Sequence, residues 1–464
     1  MKHRLLKHKG IPSLILMALS ITGCSFSTGT NYDRWIAKPG MEEGVSAYEA
    51  AWAEGEMYLS GLPSIYNLTK DQMKLDINYL LNFFERYVPD FMVLQRNKHL
   101  DPINDRERWF QRVDEVKKPL DFYIIIEEIS SLYRSSNTAL ISPFALEDIP
   151  KFPNHPDESV LSDPAVTAKN QEFKEVLLAA GRKPETKSKL REDNVFTGVT
   201  EDGKTAYLKL KSFDIEGTAE DGTVLGVSEF LSHLNDFETF IIDIRGNQSF
   251  GTAPWRDEIV GRLIREEATV KSYIGRYDDP VSSKVFNYYL QMDENVKNLT
   301  EIAMGNRYSL DELELTEVEE LPDNMLARDL SDVQKLGAFL SVEDRILPEA
   351  PINFAGRIFL LQDSQVLASG DTFSHYLRSL DLVTSVGKPA KGDGVGRTFG
   401  LRYISLPYSG LIYSAQTGYG FNHDGTPNTS SGTPTDIFQE NGPELDYVLD
   451  LIKQLEPEAG SGSN

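Results

Sequence analysis

A serine hydroxyl becomes a nucleophile where one group takes its proton and others steady the oxyanion it creates. Ala368-Ser369-Gly370-Asp371 offers such a place. The apolar run at 357–361 reads as a buried strand, and 372–380 reads as a helix. Ser369 therefore falls between a strand end and a helix start. The helix N-terminus and its free backbone N–H groups favour negative charge there. This makes Ser369 the candidate nucleophile, with the backbone of Gly370 and Asp371 as oxyanion donors. A second apolar run, 240–244, leads into Arg245-Gly246-Asn247. Glycine there lets another strand end approach the same point and offer the N–H of Gly246. The alternative for Ser369 is a helix N-cap, for which serine is well suited. Thr372 stands three residues on, where a capping box would have Glu or Gln.

The base is less evident. Lys388 and Lys391 follow the next strand, and His423 lies in a turn at 419–425. Each is a candidate, and each has an ordinary reading as a surface or turn residue. His375, a further candidate, lies six residues after Ser369 on the same helix, so it points away and reads as a surface or packing residue. No metal or cofactor is expected. The seven histidines are scattered, with no His-x-x-x-His pair. The Asp-Gly pairs at 202–203, 221–222 and 424–425 lack the acidic ladder of a calcium loop. The glycine run 392–396 lacks the strand-to-helix setting of a dinucleotide fingerprint.

Positioning such residues takes layers of strand and helix. Residues 45–140 look helical, with apolar residues at three- and four-residue spacing over 47–58, 70–87 and 122–132. Residues 146–195 are rich in Pro, Asp, Glu and Lys, and read as a connector holding one helix, 170–180. After Asp202-Gly203 the texture changes. An alternating strand at 206–210, a helix at 227–237 and the strand at 240–244 are followed by a helix at 253–265. Residues 276–345 read as a charged, mostly helical insertion. The strand at 357–361, the helix at 372–380 and a strand at 383–387 come next. Short strands and turns fill 399–438, and a helix closes the chain at 443–455. Strand and helix alternating in this way imply an α/β layer fold with right-handed crossovers.

The N-terminus carries an address. Lys2, Arg4, Lys7 and Lys9 precede a mostly apolar stretch, 11–21, too short to span a bilayer. Ile21-Thr22-Gly23-Cys24 then resembles a lipobox, in which the cysteine is lipidated and begins the mature chain. Cys24 is the single cysteine, so no disulfide, cysteine nucleophile or thiolate metal site remains. Residues 1–23 are thus a lipoprotein signal peptide and 24–44 a polar tether. The full chain of 464 residues has net charge −24. Four positive charges and no negative one leave with residues 1–23, taking −24 to −28. Such a surface repels nucleic acid and anionic lipid. The expected setting is the cell envelope, with the body lipid-anchored to a membrane (the outer one in a Gram-negative cell) and no nucleic-acid partner.

Five segments in order resemble the tail-specific, or carboxy-terminal processing, serine peptidases and their tricorn-like relatives. They are Lys209-Leu210-Lys211-Ser212-Phe213, Ile242-Asp243-Ile244-Arg245-Gly246-Asn247, Ala368-Ser369-Gly370-Asp371, Val386-Gly387 with Gly392-Asp393-Gly394, and Gly432-Thr433-Pro434-Thr435-Asp436. They span roughly 200–455, with an echo at 125–145. No PDZ segment is evident, so the PDZ-less, tricorn-like branch is nearer. The resemblance implies an N-terminal helical domain, 45–145, before a crotonase-like peptidase core, 196–458. It also implies a polypeptide as substrate or ligand. The chain departs from the family where protons are handled. Asn137 stands where the tricorn-like branch has histidine, and Asp393 where the processing branch has lysine. Thr429 stands for the supporting glutamate. Ser249 and Phe250 replace two glycines, though Gly251 serves with a one-residue shift. Two readings follow: a serine peptidase with a rearranged base, or an inactive member that binds peptides or another ligand without cutting.

Overall fold

The computed structural model describes residues 64–100, 102–133, 137–149, 154–184, 194–213, 227–249, 255–292, 294–303, 313–318, 321–322, 336–395, 400–440 and 443–455. The lipobox at Cys24, the tether and the helix expected at 47–58 lie outside them. Among the described residues no helix is long and apolar enough to cross a membrane.

Helices come first. Helix α1 (Lys70–Tyr87) opens on a capping box between Thr69 and Gln72, and its heptad-like spacing buries Ile77, Leu80, Leu81 and Phe84. Helices α2 (Pro89–Lys98), α3 (Pro102–Asp114) and α4 (Pro119–Tyr133) each start on a proline, whose missing N–H costs nothing there. Strand β1 (Ala139–Leu140) follows, and then α5 (Pro164–Ala179), capped by the Asp163 carboxylate. Helix α5 starts six residues earlier than the periodicity suggests, because Asp163-Pro164 is itself a start signal.

Next come β2 (Val195–Val199), β3 (Thr205–Leu210), α6 (Val227–Ser232) and β4 (Thr239–Asp243). After a π-helical turn (Arg256–Val260) come β5 (Ala268–Arg276), α7 (Pro280–Leu290), α8 (Glu294–Ala303), β6 (Leu313–Val318) and β7 (Ala338–Ile346). The chain continues through β8 (Arg357–Gln362), α9 (Ser369–Ser379), β9 (Thr384–Gly387), β10 (Leu401–Ser405) and β11 (Ile412–Gln416). It ends with β12 (Tyr419–Phe421), β13 (Ile437–Phe438) and α10 (Glu444–Leu455).

The central sheet has the order β13-β9-β8-β4-β3-β2 and is parallel except for β2. Its middle strands are apolar on both faces, as a doubly covered sheet requires. Phe240, Ile242, Leu360 and Phe373 pack on one side, and Ile241, Phe359, Leu361 and Val448 on the other.

Among the described residues of 276–345, strands accompany the expected helices. Helices α7 and α8 are there, but β6 and β7 join β5 and β12 in an antiparallel sheet of order β12-β5-β7-β6. Glu343, Asp344 and Arg345 sit inside β7, and their charges disguise a strand as a solvated helix. Asp344 is buried there because the Arg256 guanidinium meets it at 2.6 Å.

A third sheet, β1-β11-β10, ties the helical part to the rest. Ala139 pairs with Ser414, and Tyr413 donates its hydroxyl to the Ile126 carbonyl at 2.8 Å. The rings of Phe84, Phe91, Tyr133 and Tyr413 pack in the same place.

Candidate active site

The site lies beyond the carboxyl ends of β4 and β8, which are adjacent and parallel. Strand β4 ends in Asp243, fully buried. Arg245 grips it at 2.9 and 2.7 Å, and the Tyr207 hydroxyl donates to it at 2.6 Å. Burial alone would raise this carboxyl's pKa, but the Arg245 and Tyr207 hydrogen bonds hold it below the ordinary value. Arg245 also meets Glu444 at the start of α10, at 2.6 Å. The Asp-Ile-Arg segment is thus a brace that fixes where the chain leaves β4.

The following loop runs directly against the start of α9. Leu367 N–H donates to the Asn247 carbonyl at 2.9 Å, and Ser369 N–H to the Ser249 carbonyl at 2.9 Å. A Cβ on Gly370 would stand 2.9 Å from the Asn247 oxygen, so only glycine admits this approach. Ala368 holds φ 54° and ψ −115°, a sparsely populated conformation that costs about 1–3 kcal/mol. A sharp, strained strand-to-helix turn of this kind is how a nucleophile is presented at a sheet edge. The expected order therefore holds: Ser369 opens a helix after β8, beside the turn that leaves β4. It stands seven residues past Gln362, the last residue of β8, and not directly after the strand as expected.

The Asp371 side chain has a structural part that sequence reading leaves unmarked. Its carboxylate is fully buried and accepts from Thr433 N–H at 2.8 Å, Asn428 Nδ2 at 2.7 Å and Gly394 N–H at 3.0 Å. It pins the helix start, the glycine loop and the closing Gly-Thr-Pro-Thr-Asp segment together. Burial pushes its pKa up, against those hydrogen bonds. Two of the expected oxyanion donors, Gly370 and Gly246, point elsewhere. Gly370 N–H donates to the Leu367 carbonyl at 3.1 Å, and Gly246 N–H, at φ 77°, to the Asp363 carboxylate at 3.1 Å.

Of the base candidates, His423 stands away from the serine. His423 Nδ1 lies 2.8 Å from the Ser379 hydroxyl, at the far end of α9. Ten residues of helix separate Ser379 from Ser369, roughly 15 Å of axis. That distance corrects the assignment of His423 as base. The pairing of β12 with β5 places this turn, and local sequence does not carry that information. His375 is buried within α9, a packing and not a surface position, with its ring 5.7 Å from that of His423. Burial, and then the charge of His423, drop its pKa from 6.5 to about 3. Lys391 is exposed although its backbone N–H bonds Val366 at 2.7 Å, and Lys388 is half-buried beside Gln362. No hydrogen bond joins either ammonium to Ser369. Asn137, which begins the run into β1, and Asp393, at φ 60°, are both buried. Thr429 accepts the Gly420 N–H at 2.8 Å, a structural task. Gly251 lies outside the described residues.

One residue that sequence reading leaves unmarked stands nearest the chemistry. Trp255 is 1% exposed, and its indole N–H donates to the Ser369 hydroxyl at 2.9 Å. Ser369 itself is 2% exposed. The available signal was a tryptophan in an expected helix soon after the Arg-Gly-Asn turn, since a buried indole must find an acceptor. Among the described residues no group of three His, Cys, Asp or Glu is placed to hold a metal.

Several solved structures align with the chain. Mature CPAF complexed with lactacystin aligns at 10% identity over 83% of this chain and 98% of its own, TM-score 0.49. A candidate peptidase from Parabacteroides merdae aligns at 14% identity over 84% and 99%, TM-score 0.46. The photosystem II D1 C-terminal processing protease aligns at 10% identity over 80% and 94%, TM-score 0.37. No curated protein matches the chain by sequence. The model of peptidase family S41 matches residues 204–437, just over half of the chain, from the lead-in to β3 to the first residue of β13. With the brace at Asp243, the strained turn at Ala368 and the serine at the helix start all inside that match, the chain belongs to peptidase family S41.

Proposed function

We propose that this chain is a lipid-anchored, peptidase-like protein that engages polypeptides in the cell envelope and cleaves them weakly or not at all as it stands. The body is a helical part followed by a crotonase-like core, held to its membrane by a lipid on Cys24. The observation that carries this reading is the Ser369 hydroxyl, buried at a helix N-terminus and accepting a hydrogen bond from Trp255 at 2.9 Å. The setting is that of a nucleophile, yet the hydroxyl faces an indole, and Asn137 and Asp393 stand where family resemblance puts the base. A serine without a base is an ordinary alcohol; removing the base from triad enzymes typically costs about four orders of magnitude or more in rate.

The test uses the purified body, lacking residues 1–24, with an unfolded protein and with peptides bearing apolar carboxyl tails, beside Ser369→Ala. Saturable binding by both proteins with little cleavage is the expected result. Rapid cleavage by the wild type, lost in Ser369→Ala, would sink it, as would absence of binding. A second reading, a peptidase held shut until it opens, is favoured by the rare π-helical turn directly after Trp255.

A further inference from the structure

The geometry points to Trp255 as a gate on Ser369: we propose that a polypeptide reaches the serine hydroxyl only after the indole withdraws. This rests on the reading of Ser369 as the reactive centre. An indole N–H is a donor only, so the Ser369 oxygen is the acceptor. Attack on a peptide carbonyl needs its carbon within about 3–3.5 Å of that oxygen. The indole nitrogen already stands at 2.9 Å. The indole takes one lone pair of that oxygen, and with Ser369 2% exposed and Trp255 1% exposed a carbonyl reaches it only if a covering group moves.

Buried indoles ordinarily find an acceptor, so a hydrogen bond alone is packing. Two further features single this one out. The ring is held edge to face, 5.2 Å from both Phe373 and Tyr376, which lie on the helix that Ser369 opens. The residue also stands directly before the π-helical turn Arg256–Val260. A π turn holds one residue more than an α turn and is seldom kept without a use. Converting it to α geometry shifts the residue in front by about one position, roughly 100° around the axis. That would carry the indole off the serine. The first residue of the turn is anchored through its side chain: Arg256 binds Asp344 at 3.1 and 2.6 Å and the Arg345 carbonyl at 2.8 Å, and Tyr376 shares Asp344. Strand β7 of the inserted sheet thus holds the first residue of the turn, and the serine helix holds the indole ring beside it.

The experiment reads access to the site without requiring catalysis. Cys24→Ser with Ser369→Cys leaves one thiol, since the chain has one cysteine. Its alkylation by iodoacetamide is timed with Trp255 intact, with Trp255→Phe and with Phe373→Leu. Trp255→Phe should speed the reaction roughly tenfold, the equilibrium worth of one hydrogen bond. Phe373→Leu loosens the same ring cluster but spares the hydrogen bond, and should leave the rate near that of the parent. Equal rates with and without the indole would overturn the gate. So would an equal gain from Phe373→Leu, which would make Trp255 mere packing. A fluorescence check is independent of folding differences among thiol variants. The wild-type spectrum minus that of Trp255→Phe isolates one of four tryptophans, and it should shift on Ser369→Ala; no shift would count against the contact. The two ideas fail separately. A freed thiol without any peptide cleavage by Trp255→Phe carrying native Ser369 supports the gate and removes the cleaving role.

Discussion

The backbone N–H of Ser369 donates to the carbonyl of Ser249 at 2.9 Å. An acyl-transfer site would keep such N–H groups for a developing oxyanion. Here a carbonyl from the turn after β4 already occupies one. The same Ser249 accepts the Phe213 N–H on its hydroxyl and lies 3.1 Å from the Ser212 hydroxyl.

Ser249→Ala separates these tasks. The carbonyl bond to Ser369 is backbone and stays, while the buried Phe213 N–H loses its acceptor. A buried unpaired donor costs about 1–3 kcal/mol. Urea denaturation should show a loss of that size, with thiol access at position 369 unchanged. A stability within 0.5 kcal/mol of wild type, the usual scatter of surface substitutions, would contradict the assigned role.

Asp371→Ala should be among the costliest single changes near the site. It strands two backbone N–H groups and the Asn428 amide in a dry interior. The expected loss is about 3 kcal/mol or more, read as a lowered urea midpoint. Asp371→Asn should not rescue it fully, because an amide cannot accept on both sides.

Asp157 and Arg402 form a buried pair at 2.6 Å, across 245 residues of sequence. Removing the carboxylate alone, Asp157→Ala, should cost about 3–5 kcal/mol. Replacing both, Asp157→Leu with Arg402→Met, should cost less than Asp157→Ala, since no unpaired charge remains. A double-mutant cycle measures the difference, and additivity would refute the pairing.

His375 makes stability depend on acid. Its folded pKa is about 3 against 6.5 unfolded, so the native state keeps it neutral while the unfolded chain takes a proton. His423, Asp424 and Arg378 are the charged or titratable groups facing it. Stability from this residue is complete above pH 6.5 and falls toward pH 3, by about 1.4 kcal/mol per pH unit. His375→Leu should flatten that part of the profile, measured as urea midpoints from pH 7 to 4. Parallel profiles for the two proteins would show that His375 is not the source.

Legibility followed burial on both faces. Phe240 to Ile244 and Ile358 to Leu361 are runs without a polar face, and they became β4 and β8, neighbours at the sheet centre. With those ends fixed, Ser369 and Gly246 had to lie near one another. Strand β7 stayed hidden because Asp344 owes its burial to Arg256, 88 residues away. His423 was misplaced for a similar reason: a turn sequence does not say which strand its hairpin will join. Trp255 was unremarkable until its acceptor was known. Spacing along the chain reported the local elements; the partners of single polar groups came only from the folded contacts.

The β10–β11 hairpin depends on residues made long before it. Asp76 accepts the N–H groups of Tyr408 and Ser409, Lys169 donates to the Tyr408 carbonyl, and Asn170 to that of Gly410, each at 2.7–2.8 Å. During synthesis the helices carrying Asp76, Lys169 and Asn170 emerge first, and β1 waits without a neighbour until residue 414 has followed. At a typical pace of about 5–20 residues per second, that interval lasts tens of seconds. For that time the chain's early part is an unfinished surface with an open strand edge, the kind of exposure that holding chaperones cover.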